Sequence, residues 1–209
     1  RGPARDDPAA RERFLKIMHE QAGRMSRLID DLLSLSRLEM KSHSKPAAPV
    51  DVRQVVQSVI DTLKPLAADL GVRIETAFAA TDTIVPGDRD ELFQVFENLV
   101  ENACKYGQSG GWVAVSLERV ESGTQPEICI AVRDFGPGIA EEHIPRITER
   151  FYRIDAQSSR AQKGTGLGLA IVKHILTRHN ARLVIRSSPG NGAEFSVYFP
   201  VRSEIAAVQ

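Results

Sequence analysis

Residues 8–39 run for about thirty positions with Gly23 as the single helix breaker, and this run limits the possible folds more than any other stretch. Asp6 and Asp7 stand before Pro8, the chemistry of an N-cap followed by proline in the first turn. Phe14, Met18, Gln21, Met25, Leu28, Leu32 and Leu35 alternate spacings of four and three, a heptad seam, while Leu15, Ala22, Ile29 and Leu33 form a second stripe beside it. A helix of about eight turns with so wide an apolar face needs helical neighbours, as in a bundle. It cannot continue into residues 41–49, which hold Pro46 and Pro49 and no periodicity. The expected organisation is a long helix in residues 1–41, a linker at 42–49, a folded body at 50–203 and a short tail at 204–209.

The body mixes both periodicities. Residues 52–70 read as an amphipathic helix through Val55, Val59, Ile60 and Leu63, with a bend allowed at Pro65, and residues 72–78 alternate as a strand. Leu92, Val95, Phe96, Leu99 and Ala103 make residues 89–106 a second amphipathic helix, closed by Gly107. Residues 112–120 and 128–133 read as paired strands, residues 167–179 as a helix, and residues 183–187 with 193–200 as a hairpin around Gly190 and Gly192. The fold class expected is α+β: a two-layer sandwich of a mixed sheet with helices on one face, preceded by a long helix from a helical bundle. With 42% apolar residues the 209-residue chain can pack a core. Acidic and basic residues balance at 27 each, so the charge points to no nucleic-acid groove and no membrane patch. No segment approaches the ~18 apolar residues of a membrane span, and the N-terminus is no signal peptide. Cys104 and Cys129 lack metal-ligand spacing and read as reduced core thiols.

Three segments carry chemistry. On the helix at 89–106, Asn98, Asn102 and Lys105 are spaced by four and three and share a polar face. Amide carbonyls suffice as Mg²⁺ ligands where phosphates already bring negative charge, and a lysine adds a point charge for phosphate oxygens. A solvated helix face fits the same pattern. Asp134, at a strand end before Gly136 and Gly138, can accept from the exocyclic amine of adenine, or these residues can simply form a turn. Gly164, Thr165, Gly166, Leu167 and Gly168 run straight into an apolar helix, where successive N–H groups attract anions. No Gly-Lys-Ser/Thr ends that loop, so it is not a Walker loop.

Taken in this order, and with the late Gly190 and Gly192, these segments resemble the ATP-binding domain of bacterial sensor histidine kinases. Glu149, Arg150, Phe151, Tyr152, Arg153 and Asp155 resemble the phenylalanine box of that family's mobile lid, and residues 14–39 resemble the second helix of its dimerising hairpin. The wording of residues 144–153 and 14–21 is similar to the phosphate-regulon sensor branch. The resemblance implies Mg²⁺ and ATP as cofactors, with Asn102 as the metal ligand, Asn98 supporting it, and Lys105 and Tyr106 lining the phosphate and ribose region. It implies Asp134 as the adenine reader flanked by Gly136 and Gly138, and Arg153 near the terminal phosphate. Gly164, Gly166 and Gly168 would form the lid hinge, and Ile139, Tyr152, Lys163, Thr165 and Leu167 would complete the nucleotide-contacting set. Lys163 stands where the family often has another glycine.

The family's phosphoacceptor is a His followed by an acidic residue and shortly by Pro-Leu. His19, His43, His143, His174 and His179 all lack that neighbourhood; His19 precedes Glu20 but lies on the second helix and reads as a surface residue. The acceptor helix, any sensor and any membrane spans are thus expected outside this sequence, which itself reads as a cytosolic part of an inner-membrane-anchored parent. The partners implied are ATP, a response-regulator receiver domain and a second copy joined through the bundle. Two other readings stay open. One is an ATP hydrolase of the gyrase, mismatch-repair or heat-shock chaperone type; it would need a general-base Glu where Asn98 stands. The other is a dimerisation and docking module in which nucleotide only sets the lid's shape. A tip at residues 157–163 without apolar anchors is expected to order only with nucleotide.

Overall fold

The computed structural model describes residues 7–41, 44–122, 125–154 and 164–201. Lys163, the lid tip at 157–163 and the tail at 204–209 lie outside the described residues. Three helices begin on an aspartate. Asp7 accepts from the amides of Ala9 (2.9 Å) and Ala10 (3.2 Å) to open α1 (Pro8–Met40). Asp51 accepts from those of Arg53 (3.0 Å) and Gln54 (3.4 Å) to open α2 (Val52–Asp69). Asp88 accepts from those of Asp90 (3.0 Å) and Glu91 (3.2 Å) to open α3 (Arg89–Tyr106). Each cap satisfies donors that the first helical turn leaves without partners. Pro65 lies within α2 on its exposed side, where water can serve the carbonyl that proline leaves unbonded.

The remaining elements are β1 (Ala48–Asp51), β2 (Arg73–Phe78), β3 (Ile84–Gly87), β4 (Trp112–Ser122), β5 (Gln125–Asp134), α4 (Gly168–Arg178), β6 (Arg182–Ser187) and β7 (Ala193–Pro200). Five strands form a mixed sheet in the order β2-β4-β5-β7-β6, parallel at β2/β4 and antiparallel elsewhere. α2, α3 and α4 cover one face. Alternation does the sorting: Ile128, Ile130 and Val132 of β5 and Phe195, Val197 and Phe199 of β7 point into the core against Leu92, Phe96, Leu99, Ile171 and Ile175. Phe96 and Phe199 meet at 6.4 Å between ring centres. Burying each such side chain contributes about 1.5–3 kcal/mol. Both thiols are buried; Cys104 on α3 is pushed up to about 11, by burial first and by Glu101 second, and burial also raises Cys129 on β5.

The α+β sandwich matches the architecture expected from the sequence, with two additions. β1 and β3 form a separate antiparallel pair, and β1 takes in Ala48 and Pro49, the last residues of the stretch read as linker. The pair is closed by the Val52 amide on the Thr83 carbonyl (3.0 Å) and by the Thr83 hydroxyl on Asp51 (2.6 Å). Arg178 holds the preceding segment through the Ser44 carbonyl (2.8 Å) and forms a buried ion pair with Glu91. The seam of α1 divides: Phe14, Met18, Met25 and Leu32 are exposed, whereas Leu35 and Leu38 are buried near its C-terminal end, where the helix rests on α4. Among the described residues no helix is long and apolar enough to cross a membrane.

Candidate nucleotide site

The polar face of α3 is real and differentiated. Asn98 donates from Nδ2 to the Gln94 carbonyl (2.9 Å), and its Oδ1 sits against Gly168, where any Cβ would collide with it. That contact brings the start of α4 onto the amide face, and a Cβ at Gly168 would displace the Asn98 amide. One turn on, half-buried Asn102 makes no side-chain hydrogen bond among the described residues. Lys105 is held by Glu101, Nζ to Oε1 at 2.7 Å. Tyr106 is exposed, with its hydroxyl 4.0 Å from the place of a Cβ on Gly164. Among the described residues no side chain caps α4, so the N–H groups of its first turn are open to an anion from these residues.

Asp134 is 4% exposed at the end of β5. Burial raises its carboxyl above the usual aspartate range, and the amides of Gly136 (2.9 Å) and Ala193 offset this in part. The turn that follows is locked by close backbone approaches. A Cβ on Gly136 would strike the Tyr106 carbonyl, and one on Gly107 would come within 2.9 Å of Asp134 Cβ. Gly138 and Gly192 have φ of 73° and 70°, in the left-handed region that glycine adopts without strain. The hairpin turn between β6 and β7 holds the same loop: the Gly192 amide donates to the Gly136 carbonyl (3.1 Å), the Gly190 amide to Pro137 (2.7 Å), and the Ile139 amide to Ser187 Oγ (2.8 Å). The Asp134 turn is therefore both a turn and a rigid mount for a buried carboxyl.

The two described ends of the lid are stapled together. The Phe151 amide donates to the Gly166 carbonyl (2.8 Å), with left-handed φ at both residues, 62° and 77°. Tyr152 bonds His143 Nδ1 through its hydroxyl (2.7 Å) and lies under the Arg146 guanidinium, 4.4 Å away; half-buried Arg153 follows. Leu167 is fully buried and anchors the glycine loop. Thr165 donates to Asp31 of α1 (2.6 Å) and accepts from the Leu167 amide (3.3 Å). Burial raises the Asp31 carboxyl. Asn98, Asn102 and Lys105 thus share one helix face, Gly168 meets it, and Gly136 ties Asp134 to the end of the same helix at Tyr106.

Several residues here were not singled out from the sequence. Asp31, Ser34 and Glu39 reach Thr165, Gln94 and Arg150 from α1, contacts that no local pattern foretells. His143 and Trp112 are likewise revealed only by packing. Phe135, an aromatic between a turn aspartate and a turn glycine, carried a signal in the sequence.

Residues 87–203 match the family model of histidine kinase-, DNA gyrase B- and HSP90-like ATPases. The chain is 41% identical over 187 residues to the phosphate regulon sensor protein PhoR of Pseudomonas aeruginosa, covering 90% of this chain and 41% of the relative. It is 38% identical over 195 residues to the sensor-like histidine kinase SenX3 of Mycolicibacterium smegmatis, covering 93% and 50%. The chain therefore spans half or less of the length of these relatives. Among solved structures it resembles full-length ShkA in complex with AMPPNP, at TM-score 0.75 and 26% identity, over 94% of this chain and 40% of the other.

Proposed function

Because the chain belongs to the family of histidine kinase-, DNA gyrase B- and HSP90-like ATPases, we propose that its body binds Mg·ATP as the catalytic domain of a sensor histidine kinase. The observation that carries this reading is the Asn98–Gly168 contact. It brings the amide face of α3 against the amino end of α4, which no described side chain caps and where phosphate oxygens would find N–H donors. The residues fit a magnesium ion there. Asn102 offers a half-buried amide oxygen with no competing partner among the described residues, and Mg²⁺ is satisfied by one or two protein oxygens beside those of phosphate. The ion would neutralise charge developing on the transferred phosphoryl group. Lys105 and Arg153 would hold phosphate oxygens, Asp134 would accept from the adenine amine, and burial strengthens that hydrogen bond.

The protein's own contribution is positioning and electrostatics, because phosphoryl transfer asks little covalent chemistry of it. The acceptor histidine would come from the parent's hairpin, and the parent would pass the group to an aspartate of a response-regulator receiver domain. In this reading the parent is a homodimer through its helical bundle, anchored in the inner membrane with this portion in the cytosol. A hydrolase would need a base for water where Asn98 stands, and Asn98 is an amide that already donates to Gln94.

Calorimetry with an ATP analogue and Mg²⁺ tests the reading. Asn102→Ala should abolish Mg²⁺-dependent binding, and Asp134→Asn should weaken ATP by about 1.5–3 kcal/mol, roughly ten- to a hundredfold, while narrowing the preference for adenine over guanine. Unchanged ATP affinity in folded Asn102→Ala protein would overturn the metal assignment.

A further inference from the structure

Trp112 opens β4 and Phe135 follows β5, one step beyond the register pair Val113–Asp134. Their rings stack at 3.9 Å between centres and 7° between planes, and the Arg133 guanidinium lies 5.0 Å from the Phe135 ring. Near-parallel rings at this distance are in direct face contact, so neither can shift without moving the other. The place matters more than the strength. The turn leaving α3 presses on the same residue: a Cβ on Gly110 would strike the Phe135 carbonyl and approach its Cβ to 2.6 Å. Gly107, in that turn, abuts Asp134, and Gly136 abuts the Tyr106 carbonyl. Phe135 is therefore held from two sides, by the exit of the helix that carries Asn102 and Lys105 and by the Trp112 ring. Asp134 is its neighbour in the chain, and the Gly136 amide holds its carboxyl (2.9 Å).

Resting on the nucleotide reading above, we infer that Trp112 and Phe135 are positioning residues for base recognition. Their stack fixes the Asp134 carboxyl at a set distance from the phosphate end of the site, so adenine and triphosphate are read in one register. Neither ring needs to touch nucleotide. A two-point demand of this kind is sensitive to small displacements, because a carboxylate moved by a fraction of an ångström weakens its hydrogen bond to the base while the phosphate contacts persist.

The test compares Trp112→Leu, Trp112→Phe and Phe135→Leu with the wild type by equilibrium titration with Mg·ATP and Mg·GTP, each variant also followed by thermal unfolding. Trp112→Phe retains a stacking ring and should keep wild-type affinities. Trp112→Leu and Phe135→Leu should lose about three- to tenfold in ATP affinity with GTP affinity unmoved, so that the ratio of the two falls. A general loss of stability would weaken both nucleotides together and leave the ratio intact. An ATP-to-GTP ratio in Trp112→Leu equal to that of wild type overturns the inference, as does an equal fall in Trp112→Phe. Wild-type protein that binds no ATP would instead overturn the nucleotide reading on which it rests.

Discussion

His179 is held in its neutral form by its surroundings. Nε2 accepts from the Asp88 amide (3.0 Å), which leaves the proton on Nδ1 to be donated to the Ile175 carbonyl (2.8 Å), and the ring is buried. Burial pushes its pKa below the ordinary 6.5, and the nearby Arg178 adds to this, against the opposing pull of Ile175, Glu91 and Asp88. The sign follows: above 6.5 both folded and unfolded chains carry a neutral ring, whereas below it the unfolded chain takes up the proton first. Stability should therefore fall as pH drops from 6.5 toward the lower folded value. Burial raises Asp134, Asp31 and Glu97, which act with the opposite sign, in the range above the ordinary carboxyl values. A variant isolates the histidine: thermal unfolding of His179→Gln from about pH 7.5 to about pH 5.5 should show a flatter slope than wild type, even from a lower starting point. Parallel slopes would remove His179 from the acid response. Asn98 shows how far a single residue is legible. Its spacing places it on the polar face of α3 with Asn102 and its amide excludes a base, but its contact with Gly168 depends on a helix seventy residues away in sequence.

Among the elements, α1 is the most legible and the least complete. Its heptad spacing and Asp-Pro start predict its extent, because those signals are local, and the helix runs over Pro8–Met40. Which turn would dock, and on what, was not written in the periodicity. Asp31 meets Thr165, Ser34 donates to Gln94 (3.0 Å), Glu39 pairs with Arg150, and Leu35 and Leu38 sink into the core. β1 and β3 were missed for a physical reason. Each has four residues, Pro49 stands opposite Pro86 in the ladder, and strand propensity is poor on both sides. Only the fold closes them, through Thr83 and Asp51. The α1 contact has an energetic consequence. Asp31 puts a carboxyl on the hydroxyl of Thr165, beside amides proposed to receive phosphate, so a bound polyphosphate meets like charge there. Asp31→Asn should raise Mg·ATP affinity by up to about fivefold, the effect of a partly screened charge pair. Weaker or unchanged binding in isothermal titration would show that the carboxyl does not oppose the nucleotide.

For the whole molecule, the unburied part of α1 sets the solution behaviour. Phe14, Met18, Met25 and Leu32 are each about half exposed or more along one seam, too extensive a stripe to remain in water at high concentration. Light scattering should find self-association that rises with protein concentration, and Met18→Glu with Met25→Glu should return the monomer while ATP affinity stays within about twofold. A wild-type monomer at every concentration would contradict this. The folded body has a different use. Its two sulfhydryls, one in the Asn-bearing helix and one in the central strand, are buried, and burial raises both above the ordinary thiol value. The folded chain thus keeps both of its sulfurs from solvent, and a cysteine introduced at an exposed position of it would react with a fluorophore or spin label ahead of either.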